Sequence, residues 1–182
     1  MITDKEAKVK SKFLSFVLRH HPEFIGLELD ANGWAVTAQL IEKVNANGHS
    51  LDAAVLDYIV NTNSKKRFAY NNDKTMIRAN QGHSVDIDLG LFAAVPPEYL
   101  YHGTGSNAVD SILATGLEKR ERQHVHLGSD IQIAIAVGGR HGKPKVFKVA
   151  AGQMHVDGYA FYLSENGVWL IDNVPATYLE LI

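Results

Sequence analysis

Three short stretches of this chain gather arginine with histidine or lysine, side chains that bind phosphate esters and, for histidine, can protonate them. Leu18-Arg19-His20-His21-Pro22 sets a guanidinium and two imidazoles at the foot of an apolar segment. Ser64-Lys65-Lys66-Arg67-Phe68 runs three consecutive cations into a strand-like segment, and Arg122-Gln-His124-Val-His126-Leu alternates an arginine with two histidines. Arginine is permanently charged and grips phosphate with a planar fork, whereas histidine titrates near neutral pH. Residues 122, 124 and 126 share one face if they lie in a strand, so one guanidinium and two imidazoles are expected on a common surface. Two imidazoles at that spacing could hold zinc, but no nearby acidic pair completes a ligand set and the guanidinium would repel it. An anion suits the set better, and no metal is expected.

Each stretch alone has a plainer explanation. Cations at a helix C-terminus favour the helix dipole, and lysines at a strand edge discourage aggregation. A fourth stretch, Tyr101-His102-Gly103-Thr104-Gly105-Ser106, is read as a small-residue loop between strand and helix, where a ligand can approach the backbone. Its spacing is neither G-x-G-x-x-G nor G-x-x-x-x-G-K-[ST], so neither of those nucleotide folds is supported.

Composition removes other chemistries. The 182 residues contain no cysteine, which excludes disulfides, Cys-ligated zinc, iron–sulfur clusters and thiol nucleophiles and fits a reducing compartment. With 18 Lys and Arg against 20 Asp and Glu the formal charge is −2, so any nucleic-acid binding must be local. One local excess exists: Lys5, Lys8, Lys10, Lys12 and Arg19 face only Asp4 and Glu6 in the first 22 residues, and a solvated helical face explains it. The chain has no apolar run of the roughly 18–20 residues a membrane span needs, and its charged start lacks a signal sequence. The expectation is a cytoplasmic protein with no membrane and no protein partner.

The elements that must position these residues follow from periodicity. Val9, Phe13, Leu14, Val17 and Leu18 predict a first helix from about Lys5 to His21, stopped by Pro22. Residues 26–34 read as a short extended segment and a turn. A second helix is expected from a Thr37 cap to Asn47-Gly48, and a third from a Ser50 cap through Leu51, Leu56 and Ile59. Arg67–Tyr70 and Met76–Ala79 flank the turn-rich Asn71-Asn-Asp-Lys and form a hairpin, so the N-terminal half suggests a winged-helix arrangement. Pro96-Pro97 marks a stiff connection, and the boundary falls between about Ala79 and Pro97. Beyond it, strands are expected at Tyr99–His102, Val125–Leu127, Lys145–Val149, Tyr159–Leu163, Val168–Ile171 and Tyr178–Ile182, with helices near Asn107–Thr115 and Asp130–Val137. The class is α+β, divided into residues 1–92 and 93–182.

Taken in order, Ser11-Lys-Phe-Leu-Ser-Phe-Val-Leu-Arg19-His20, Gly26-Leu-Glu-Leu-Asp with Gly33-Trp34, Lys66-Arg67-Phe68, Ile77-Arg78-Ala-Asn-Gln81-Gly-His83-Ser84, His102-Gly103-Thr104, Arg122-x-His-Val-His126-Leu and Asn166-Gly-Val168-Trp resemble the RNA 2′-phosphotransferase family across nearly the whole chain. His-Gly-Thr alone is widespread among ADP-ribosyltransferases; the full series is specific. The resemblance implies an N-terminal winged-helix lobe and a C-terminal ADP-ribosyltransferase-like lobe, with the active site in the cleft between them. It implies NAD⁺ as a consumed co-substrate and 2′-phosphorylated RNA, of the tRNA splice-junction type, as partner. The internal 2′-phosphate would attack the nicotinamide ribose, giving an ADP-ribosylated RNA intermediate. The ribose 2″-OH would then attack phosphorus, leaving 2′-OH RNA, nicotinamide and ADP-ribose 1″,2″-cyclic phosphate.

By the same resemblance Arg19, His20, Arg67 and Arg122 form the catalytic set, while His102, Gly103, Thr104, His126 and Val168 bind NAD⁺. Arg78, Gln81 and His83 are candidates for RNA phosphate contacts. Val168 would stand where many protein-modifying ADP-ribosyltransferases carry a catalytic Glu, which would repel an anionic acceptor. The chemistry agrees, because a 2′-phosphate is already a nucleophile and needs cations to place it. Two other readings compete. A winged-helix regulator is weakened by Leu51–Asn61, which carries Asp52 and Asp57 and no Lys or Arg. A mono-ADP-ribosyltransferase acting on proteins or terminal nucleic-acid phosphates would differ in its products.

Overall fold

Thr3 and Glu6 start the first helix, α1 (Asp4–Arg19), with reciprocal bonds: the Glu6 N–H donates to the Thr3 hydroxyl and the Thr3 N–H to the Glu6 carboxylate. The structure, a computed structural model, describes residues 2–182. Helix α1 buries Ala7, Ser11, Leu14, Val17 and Leu18 and ends two residues earlier than its periodicity suggests. The N–H groups of His20 and His21 both reach the Phe16 carbonyl, at 3.1 and 3.0 Å, and Pro22 opens a 3-10 turn, Pro22–Ile25, instead of simply halting the helix. Left-handed Gly26 (φ +63°) closes that turn.

Residues 26–34 join no sheet, and the turn expected there forms. Asp30 accepts from the N–H groups of Asn32 and Trp34, each at 2.9 Å, and winds the segment into a turn. Pairing begins only at β1 (Ala35–Val36). Two expected caps are displaced. Thr37 is the first residue of α2 (Thr37–Ala46), preceded by Val36, and its hydroxyl donates to the Lys74 carbonyl at 2.9 Å. Asp52, not Ser50, caps α3 (Ala53–Thr62), accepting from the Val55 N–H at 2.8 Å, while Leu51 is buried ahead of the helix. Strands β2 (Phe68–Tyr70) and β3 (Met76–Ala79) form the expected antiparallel hairpin, in a sheet ordered β1-β3-β2. Leu14, Leu18, Leu40, Leu56, Ile59 and Ile77 anchor the core of this half.

Contacts along the chain cluster into two compact units, Met1–Gly90 and Leu91–Ile182. The second comprises β4 (Leu100–Gly105), α4 (Val109–Thr115), β5 (Leu117–Glu118), β6 (Val125–Leu127), α5 (Ile131–Gly138), β7 (Pro144–Val149), α6 (Ala151–Val156), β8 (Tyr162–Leu163), β9 (Trp169–Ile171), β10 (Asn173–Val174) and β11 (Leu179–Leu181). Its antiparallel sheets run β11-β7-β4 and β6-β9-β8, with a further pair β10-β5. Tyr101 and Gly128 exchange backbone bonds of 2.8 and 2.9 Å and tie β4 to the end of β6. Buried Leu100, Leu127, Phe147, Met154, Phe161 and Ile171 form its core. The class is α+β, as expected. Helix α6 and the β5–β10 pair are additions, and only the last two residues of the expected strand Tyr159–Leu163 pair, because the Tyr159 N–H turns back to the Met154 carbonyl after α6. Among the described residues no helix is long and apolar enough to cross a membrane.

The Tyr101–Gly105 stretch is strand, not loop. Its glycines serve packing: a Cβ on Gly103 would collide with the Ala134 carbonyl of α5, and one on Gly105 with the His141 carbonyl. A Cβ on Gly138 would lie 2.6 Å from the Thr104 carbonyl. Helix α5 therefore crosses β4 with backbone almost on backbone, which only glycine on both sides permits.

Candidate active site

In the first unit, four of the singled-out residues gather where the chain from Asn80 onward folds back on the end of α1. The N–H groups of Ser84 and Val85 donate to the Arg19 carbonyl at 2.9 and 3.3 Å, and the Ser84 hydroxyl lies 2.9 Å from His20 Nδ1. His83 is 1% exposed beneath them. Burial, followed by the charges of Arg19, His20 and Arg78, pushes its pKa down to about 3, so its imidazole is neutral. Neither ring nitrogen of His83 has a hydrogen-bond partner among the described residues.

Arg67 enters from the hairpin. Its backbone carbonyl accepts from the Asn80 N–H at 2.9 Å, and its guanidinium donates to the Ser11 hydroxyl of α1 at 3.2 Å. Asn63 donates to the same hydroxyl at 2.8 Å. Lys66, just before it, has φ +41°, a left-handed conformation that a lysine adopts at a cost, and the Asn80 amide holds it by donating to the Lys66 carbonyl at 2.6 Å. Ser11 and Arg19 stand about 12 Å apart along α1, so one helix carries or braces three of the four proposed catalytic side chains. Arg78 is more committed: its guanidinium lies 4.5 Å from the centre of the Trp34 ring and donates to the Leu89 carbonyl at 3.4 Å. The Gln81 side-chain oxygen is buried beside this cluster without a hydrogen-bond partner among the described residues.

In the second unit, Arg122 and His124 lie in a bend before β6 rather than in the strand, so the expected three-residue face does not form. Arg122 nevertheless reaches His126, its Nη1 lying 2.9 Å from His126 Nδ1. A guanidinium only donates, so His126 Nδ1 accepts and its proton sits on Nε2. His102 Nδ1 lies 3.1 Å from the His126 carbonyl and must donate to it, which leaves His102 Nε2 as an acceptor. Burial above all, and then Arg122 and Arg120, hold the His102 pKa below its ordinary value against the raising effect of that bond. The two imidazoles are thus fixed as opposite tautomers beside a guanidinium. His124 points elsewhere, edge-on to the Tyr162 ring at 6.0 Å.

Thr104 is buried in β4, and Gly103 turns its α-carbon toward α5. Val168 sits in a turn held by Ser164, whose hydroxyl accepts from the Val168 N–H at 3.1 Å. Among the described residues no group of three or more His, Cys, Asp or Glu is placed to hold a metal. The sequence reading passed over Ser11, Asn63, Asn80 and Ser84, which orient Arg67 and His20. Ser11 carried a signal, being a hydroxyl on the apolar face of an amphipathic helix. Asn80 and Ser84 stood only as members of the Ile77–Ser84 motif with no role assigned, and Asn63 carried no signal, because their contacts join residues distant in sequence.

The sequence matches the model of a family described as RNA 2′-phosphotransferase, Tpt1/KptA, over residues 4–173. A probable RNA 2′-phosphotransferase from Flavobacterium johnsoniae is 57% identical over 174 residues, covering 96% of both chains. Proteins of the same description from Agrobacterium fabrum (55% over 171 residues, 94% of this chain and 92% of that one) and Hahella chejuensis (51% over 179 residues, 98% and 96%) are also similar.

Proposed function

The chain belongs to the RNA 2′-phosphotransferase family and is a transferase, and from that premise we propose that it removes an internal 2′-phosphate from RNA at the expense of NAD⁺. The observation that carries this reading is the gathering of Arg19 and His20 around a neutral His83 at the end of α1, with Arg67 held on the same helix by Ser11. Such a cluster suits a dianion, and it contains no thiol or activated hydroxyl of its own, which a phosphate nucleophile does not require.

NAD⁺ enters as a substrate, supplying the ribose that accepts the phosphate and the nicotinamide that leaves. In the first step a 2′-phosphate oxygen bonds to C1″ as the C1″–nicotinamide bond breaks. In the second the 2″-hydroxyl bonds to phosphorus, the bond from phosphorus to the RNA 2′-oxygen breaks, and a proton passes from the attacking hydroxyl to the departing oxygen. Arg19, Arg67 and Arg122 neutralise phosphate charge, most of all in the second, phosphorane-like step, and His20 moves the proton. The acceptor on His102 Nε2 and the proton on His126 Nε2 suit the two sides of a ribose diol, and Thr104 and Gly103 belong to the same strand as His102. Arg78, Gln81 and His83 support the RNA side. The three helices and small antiparallel sheet of residues 1–92 favour a winged-helix reading, and the paired antiparallel sheets of residues 93–182 an ADP-ribosyltransferase-like one.

Purified protein given NAD⁺ and an internally 2′-phosphorylated oligonucleotide is expected to release nicotinamide and yield 2′-OH RNA without added metal. Arg67→Ala and Arg122→Ala should each slow the second step by roughly 100-fold, so that ADP-ribosylated RNA accumulates on a denaturing gel. A 2′-phosphate that persists at high enzyme overturns the reading. Accumulation of the intermediate by the unsubstituted protein would favour a mono-ADP-ribosyltransferase instead.

A further inference from the structure

The solvent-facing stripe of α1 carries apolar side chains where water alone would favour charged ones. At 3.6 residues per turn Lys5, Val9, Lys12 and Phe16 fall on one line, opposite the buried Ala7, Leu14 and Leu18. Val9 is 63% exposed, Phe16 37%, and Phe24, in the turn after α1, 57%. The two phenylalanines belong to a chain of five rings. His49 stacks on Phe13 at 3.8 Å, Phe13 and Phe16 each meet Phe24 edge-on at 6.4 and 5.4 Å, and Phe16 lies 4.8 Å from His21. A groove beside Phe13 and His49 is flanked by Lys5 and Lys10. Its one carboxylate, on Glu6, accepts from Thr3.

We propose that this surface is a stacking platform for unpaired nucleotides of the RNA substrate beside the modified position. The proposal rests on the reading of the chain as an RNA-directed enzyme and adds where the rest of the RNA lies. Aromatic faces interleaved with lysines accept bases of any identity while the ammonium groups meet backbone phosphates. Lysine is depleted at the cores of protein–protein interfaces, which counts against a protein occupant. The platform is continuous with the cluster that gathers His20: the His20 N–H donates to the Phe16 carbonyl, so the ring and the imidazole are one helical turn apart.

The test uses the full chain and a fluorescein-labelled single-stranded octaribonucleotide without a 2′-phosphate, with a hairpin of similar composition as control. Phe24→Ser is expected to weaken single-strand binding about fivefold or more in anisotropy titrations, Phe24→Tyr to preserve it, and the hairpin to change little. On a 2′-phosphorylated octanucleotide Phe24→Ser should raise KM by a similar factor at constant kcat, while a 2′-phosphorylated dinucleotide, too short to reach the ring, is turned over as before. Unchanged binding and KM in both Phe24→Ser and Lys5→Glu/Lys12→Glu overturn the platform. A dimer that Phe24→Ser converts to monomer with RNA binding intact also overturns it, because a second copy then covers this face. Absence of turnover on both phosphorylated substrates refutes the proposed activity alone, since the anisotropy titration decides the platform independently.

Discussion

Burial keeps His83 neutral in a neighbourhood that also holds Arg19, His20 and Arg78, and that neutrality carries a pH signature. Its folded pKa, about 3, lies below the ordinary 6.5, so the folded chain binds fewer protons than the unfolded one between those values. The stabilisation is complete above about pH 6.5 and is lost as pH falls toward 3. In urea unfolding, the free energy of the native protein should fall between pH 7 and pH 4 by roughly 3 kcal/mol more than that of His83→Leu. Equal slopes would mean that His83 is protonated in the folded state. His83 and His20 also differ in place: His83 is buried, whereas His20 lies at the helix end against Ser84, as the proton-moving role proposed for it requires.

At the scale of elements, the contact of α5 with β4 decides the geometry of His102. The strand carries His102 immediately before Gly103, the backbones of Gly103 and Gly105 lie against the helix or its following turn, and the helix answers with Ala134 and Gly138. Gly103→Ala must push the helix away, since the obstacle is backbone and cannot rotate aside. A loss of about 3 kcal/mol in urea unfolding is expected for Gly103→Ala, against a few tenths for Gly139→Ala, where a Cβ meets nothing within 4 Å. Comparable stabilities of the two variants would refute the close crossing. The small residues of this stretch were visible in the sequence as a place where something approaches the backbone; that the approaching group is a helix depends on α5 returning from 30 residues later.

At the scale of the whole molecule, a formal charge of −2 leaves little long-range attraction for RNA. Binding that rests on a few local cations should depend weakly on salt: about three phosphate contacts give a log–log slope near −2 for single strands. Measuring KM for the phosphorylated octanucleotide across potassium chloride concentrations checks this, and a slope of −5 or steeper would require a broad basic surface that the charge distribution does not offer. Much of the molecule was legible in the chain itself. Helix α1, the β2–β3 hairpin and β6 follow from periodicity and turn residues, and the ordered series of Arg, His and Gly motifs identified the family, because these are properties of residues near one another in sequence. The caps at Thr37 and Ser50 were misread because distant contacts decided them: the Thr37 hydroxyl donates to the Lys74 carbonyl, and Asn45 accepts from the Leu51 N–H ahead of an α3 capped by Asp52. The bend at Arg122, the tautomers of His102 and His126, and the burial of His83 were decided by tertiary structure alone. Each depends on which distant group supplies a donor, a charge or a wall against water, and sequence spacing does not encode that pairing.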